Sequence, residues 1–225
     1  MSLFRITGLV LIALPIAFNV LFFALGRAFE YPDILRKPTD YILKRFADGG
    51  SRLIMLWYGF ALTALLAAPL ALLFQQVFID QNPQLAAASA IVGVVSALVQ
   101  TMGLFRWTFL VPTLAAQYNA PSATPATRDA VGVVFNAFHQ FMGVAIGEHL
   151  GYLFTGAWTI LISVMMLSSS LFSPLIAVLG IVSAVGILIG LLEPAGWKPA
   201  GMIVAISYIL WSLWLIISGV VLVLA

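Results

Sequence analysis

Cysteine is absent from all 225 residues, which excludes a disulfide framework, a thiolate nucleophile and a cysteine-ligated metal. Charge is scarce as well. Asp, Glu, Lys and Arg make up 8% of positions, against about 25% in soluble domains, so the chain cannot cover a water-facing surface. Catalytic motifs are missing too: there is no Gly-rich phosphate loop, no nucleophile elbow and no paired-histidine zinc motif. Glu148-His149 does not supply that zinc motif, which needs two histidines four residues apart with a glutamate between them. Alternation of polar and apolar residues is also lacking, which argues against an outer-membrane barrel. The basic residues lack the aromatic interleaving of a nucleic-acid surface, so no nucleic-acid partner is expected.

What the chain has instead is apolar sequence. Hydrophobic residues fill 63% of positions, and runs of about twenty mark membrane-crossing helices. The fold class is all-α: one polytopic transmembrane domain over 1–225, with six spans near 5–27, 53–77, 86–110, 141–167, 174–192 and 201–224. The first run is too long for a signal peptide and has no small-residue cleavage pattern, so it reads as span 1. A continuous straight helix over 127–167 would be ~60 Å long, twice the ~30 Å hydrocarbon core. An interfacial helix at about 127–140 feeding span 4 fits better. A turn at GEHLGY, giving seven spans, is the alternative threading.

Ten Lys and Arg oppose eight Asp and Glu, and the basic residues cluster. Arg27, Arg36, Lys37, Lys44, Arg45 and Arg52 lie in or beside the first loop, Arg128 in the third and Lys198 in the fifth. The positive-inside bias places these loops in the cytoplasm and both termini outside, with Arg5 the one basic residue on the other side. Within the first loop, Pro38-Thr39-Asp40 resembles a helix start and Gly49-Gly50 a stop. Ile42, Leu43 and Phe46 share one face of that short helix, which predicts an amphipathic segment lying on the inner leaflet. Such a helix anchors the loop, or docks anionic lipid or a cytosolic partner. Pro15, Pro69 and Pro112 read as tolerated kinks, with a broken helix at a transport site as the alternative. Trp57, Trp107, Trp158, Trp197 and Trp211 or Trp214 fall where an interfacial aromatic belt would stand.

The segment FHQFMGVAIGEHLGYLFTG holds both histidines, one glutamate and three glycines spaced by four. At 100° per residue, Gly143, Gly147 and Gly151 lie at about 0°, 40° and 80°, one stripe on which another helix backbone can pack. Asn136 and Gln140 share that face. Ser89, Gly93, Ser96, Gln100 and Gly103 form a matching face on span 3, and Gly180, Ser183, Gly186 and Gly190 a looser one on span 5. Arg106 and Glu148 are charges at similar depth on spans 3 and 4, the first candidates for direct contact. A charge there costs ~3 kcal/mol or more unless paired or hydrated. Two expectations follow: an Arg106–Glu148 pair within hydrogen-bond reach, and a pocket lined by Arg106, Glu148, Gln100, Asn136 and Gln140, with His139 as a further candidate. His139 and His149 sit about 15 Å apart along one helix and about 80° around it, which cannot direct both at one metal or haem. No cofactor is expected.

FEYPDILRKPTDYILKRF, the LIMLWYGFAL that follows it, and FHQFMGVAIGEHLGYLFTGAWTILI together resemble a bacterial family of small membrane proteins, domain-of-unknown-function family 4386. The resemblance covers nearly the whole chain. It implies six helices and a bacterial inner-membrane location, and it carries over no catalytic residue. The residues themselves point to a membrane protein in contact with the lipid bilayer. The first functional reading is a binding or transport protein for a small polar solute or ion, through a cytoplasm-facing pocket around Arg106 and Glu148. The alternative is a structural or regulatory subunit that docks a membrane partner through its Gly/Ser faces, and an intramembrane enzyme ranks third.

Overall fold

The computed structural model describes residues 2–225, and among these there is helix and no strand. Six helical stretches are long and apolar enough to cross a membrane, at Leu3–Phe29, Thr39–Gln76, Pro83–Asn119, Pro125–Leu167, Pro174–Ala195 and Ala200–Leu224. They resolve into α1 (Leu3–Phe29), α2 (Thr39–Gln76), α3 (Pro83–Phe109), α4 (Val111–Asn119), α5 (Pro125–Phe138), a π segment (His139–Leu150), α6 (Gly151–Leu167), α7 (Pro174–Leu188) and α8 (Ala200–Leu224). Two short 3-10 turns, Asp33–Arg36 and Ile189–Ala195, follow α1 and α7.

The breaks between helices have a local cause. At Asn82-Pro83, Thr124-Pro125 and Ser173-Pro174 a capping side chain accepts a backbone N–H of the first turn, at 3.0, 3.1 and 3.4 Å. The proline that follows each cap fits the first turn, where its missing N–H has no partner to lose. Pro112 likewise stands in the first turn of a helix, α4, but there without a capping side chain. The helical chain is interrupted at Leu110 and continues for nine residues where the sequence alone suggested that span 3 simply ends.

Each span packs on its neighbours in the sequence: α1 on α2, α2 on α3, α3 on the π segment and α6, α6 on α7, and α7 on α8. The last helix, α8, packs back on α1 and closes a ring. Helices about 10 Å thick, set six in a ring, enclose a space roughly one helix wide. Large side chains fill it. Trp158 and Trp214 are buried with Phe74 and Phe78 in the half where α1 begins and α8 finishes. In the other half Trp57 stacks on Trp107 at 4.8 Å beside Phe29. The expected aromatic belt is therefore corrected: Trp57, Trp107, Trp158 and Trp214 are interior, and Trp197 is the exposed one.

The second half is the basic end, where α2 starts and α4 and α5 pack together. Ile42, Leu43 and Phe46 do share a face, but that face packs against Trp107, Val111, Leu114 and Phe135. The segment does not lie apolar-side-down on the leaflet as expected, because α4 and α5 cover its apolar stripe. At Gly50, φ 55° and ψ −152° turn the chain sharply before α2 enters the membrane.

Candidate functional site

Between the two aromatic clusters lies a polar layer. Ser96 and Gln100 stand one turn apart on α3 and meet Thr155 on α6. The Ser96 and Thr155 hydroxyls are 2.8 Å apart, and Gln100 Nε2 donates to both, at 3.1 and 3.0 Å. Thr159 Oγ1 donates to the Thr155 carbonyl at 2.8 Å and accepts the Trp211 indole N–H at 2.8 Å. This network ties α3, α6 and α8 together across the ring. Beside it is a cavity of about 50 Å³, lined by Thr63, Ser96, Gln100, Thr155 and Tyr208 among apolar groups of α1, α2 and α8. At about 10–15 Å³ per water, it has room for a few water molecules.

Toward the basic end, α3 and the π segment approach at backbone distance. A Cβ on Gly103 would stand 2.6 Å from Gly147 Cα, one on Gly143 would stand 2.5 Å from Arg106 Nη2, and one on Gly151 would stand 3.0 Å from the Gln100 side chain. Gly143, Gly147 and Gly151 thus meet Arg106, Gly103 and Gln100 in antiparallel order. Winding in i→i+5 turns is uncommon in proteins and gathers at functional sites. Here it covers His139–Leu150, the stretch that carries Glu148.

Arg106 is buried. Its Nη1 donates to the Gly103 carbonyl of its own helix, and its guanidinium lies across Gly143 and 5.1 Å from the Trp107 ring. The expected direct pair with Glu148 does not form. The ion pairs among the described residues are Arg36–Glu193 at 3.9 Å and Arg45–Glu30 at 3.3 Å. The reason is steric: Gly143 leaves a seat for the guanidinium one turn before Glu148, and Arg106 fills that seat by folding back onto its own helix end. Glu148, half-buried, lies instead within electrostatic reach of Arg106, Arg36, Glu193 and the phenols of Tyr31, Tyr152 and Tyr208. Tyr31 stands in the loop after α1. Burial, with Glu148 near it, pushes its phenol above the ordinary value, so it keeps its proton and can donate.

The other sequence candidates lie apart from this layer. Asn136 is exposed on α5 and accepts from Thr39 Oγ1 at 3.0 Å, and Gln140 is exposed. His139 is buried, its ring stacked on Phe135 at 5.5 Å, and Nδ1 of both His139 and His149 has no partner. No group of three His, Asp or Glu residues among the described residues is close enough to hold a metal. Thr63, Thr159, Tyr208 and Trp211 belong to the layer and were missed from the sequence. The available signal was a polar group inside each apolar run, which scores low when hydropathy is averaged over a span. Asn19 is a similar case: inside α1, it donates to the Pro15 carbonyl at 2.8 Å and to Ser212 Oγ on α8 at 3.0 Å.

No curated protein and no solved structure matches this chain. The family model described as a domain of unknown function (DUF4386) matches residues 6–219, nearly the whole chain, and this six-helix membrane protein belongs to that family.

Proposed function

We propose that the helix ring binds, and by opening at one end transports, a small polar solute or ion at the polar layer. The observation that supports this reading is the placement of Glu148. It is an acid at membrane depth with no ion-pair partner among the described residues, next to a layer that already contains a cavity. A charged group at such depth costs about 3 kcal/mol or more, and unpaired ones usually line a hydrated path. Glu148 would accept a cation or proton. Gln100, Ser96 and Thr155 would offer neutral hydrogen bonds, and Arg106, held against Gly143, would set the local field. Access would be from the basic end, facing the cytoplasm of a bacterial cell, with the protein in the inner membrane and both termini outside.

The alternative, a subunit that docks partners through its Gly/Ser faces, is weakened by where those faces point. Gly93, Gly103 and Gly143 are buried within the ring, as are Ser89, Ser96, Gly180, Ser183 and Gly186. The first test is native mass spectrometry of protein in mild detergent, comparing wild type with Glu148→Gln. A small molecule or ion retained by wild type and lost from a folded variant is the expected result. If both forms carry lipid alone, the pocket reading falls and the structural reading takes its place.

A further inference from the structure

At the basic end, on the outer surface of the ring, α1 and α2 leave an open cleft of about 850 Å³. That volume falls within the range of small-molecule sites. The cleft exists because Gly50 turns the start of α2 away from its membrane portion, so the two parts of α2 and the end of α1 form three walls. On α1 the lining residues run Val20, Phe23, Ala24, Arg27, one helical face that changes from apolar to basic toward the basic end. On α2 the same change occurs in the same direction, from Leu56 and Leu53 to Arg52 and then Arg45 beyond the turn. Both walls therefore match a molecule with an anionic head and an apolar tail aligned with the helices.

The charges are unevenly committed. Arg45 is held by Glu30, at 3.3 Å. Arg27 and Arg52 form no ion pair among the described residues and stand on opposite walls, with Asp48 the one acidic group in the lining. We propose that this cleft seats an anionic glycerophospholipid of the surrounding leaflet. Its phosphate lies between Arg27 and Arg52, and an acyl chain runs along Val20, Phe23 and Leu56. A guanidinium binds phosphate through paired N–H donors, which a lysine in the same place would not supply. Phe23 is 65% exposed in the protein alone, which is the expected state of a side chain whose cover is lipid.

The test is lipid retention by native mass spectrometry, with phosphatidylglycerol and phosphatidylcholine of matched chains offered together in detergent. Wild type should retain phosphatidylglycerol in preference. Each of Arg27→Gln and Arg52→Gln should lower that preference about fivefold, in line with the usual contribution of one basic residue at an anionic surface. Arg128→Gln, outside the cleft, should leave it unchanged. If the arginine variants do not fold, the wild type alone still decides. Its preference should collapse when salt rises from about 0.1 M to 1 M, which shortens the screening length from about 10 Å to 3 Å. Equal retention of the two lipids, a preference indifferent to both arginines, or full displacement by soluble glycerol phosphate would overturn the proposal.

Discussion

Gly103 and Gly147 bring two helices to backbone contact, and this contact makes a sharp residue-scale prediction. Alanine gains about 1 kcal/mol over glycine from helix propensity, whereas forcing a methyl into a closed contact costs about 1–3 kcal/mol. With Gly147 Cα 2.6 Å from the added Cβ, the second effect should win in Gly103→Ala. Unfolding in mixed micelles should show a loss of stability. Gly132→Ala, where nothing lies within 4 Å, should be neutral or stabilising by up to about 1 kcal/mol. Equal behaviour of the two variants would mean that the contact does not hold α3 to the π segment. The glycine spacing was legible in the sequence because a four-residue repeat stays on one side of a helix. The seat of Arg106 was not: a helical wheel gives direction, but not whether a long side chain reaches forward to an acid or back to its own carbonyls.

At the scale of elements, α2 shows what a single backbone angle does. Gly50 has open space around it, so any cost of replacing it comes from its φ of 55° and ψ of −152°, a region essentially restricted to glycine. Gly50→Ala should lose about 1–3 kcal/mol of stability. It should also change the distance between spin labels placed at Tyr41 and Tyr58, on either side of the turn. A retained distance with unchanged stability would show that the turn is imposed by packing of the flanking segments and not by the glycine. From the sequence, Gly49-Gly50 read correctly as a boundary, and the apolar face of 42–46 was visible in its spacing. What covers that face was not visible, because an amphipathic stripe carries the same pattern whether lipid or α4 and α5 lie against it. The π winding left no trace in the hydropathy pattern, since it changes the hydrogen-bond partners of His139–Leu150 without changing which residues are apolar.

On the scale of the whole molecule, the ring has one end rich in arginine and lysine and another that carries little charge. If the basic end faces the cytoplasm, a membrane-impermeant maleimide should label Ser170→Cys in intact cells and Ser122→Cys only after lysis. The native chain has no cysteine, so the background is clean. The reverse pattern would turn the molecule over and remove the cytoplasmic access proposed for Glu148. Span number and order were legible because apolar length and basic loops are additive properties of sequence. The closure of α8 on α1 was not, since it depends on shape at Gly8 and Gly219, where a Cβ on either would meet the carbonyl oxygen of the other at 2.6 Å.

That seam bears on how the chain assembles during synthesis. Every other boundary in the ring joins segments that leave the ribosome one after another, so each new helix can dock on the one before it within a short stretch of chain. Local contacts of this kind form quickly, and distant ones are slow. The α1–α8 boundary alone must wait until α8 itself has been made, five spans after α1. Until then α1 has an uncovered flank, and for that interval the nascent protein is an open arc whose two edges can be closed by each other or by the matching edge of another unfinished chain.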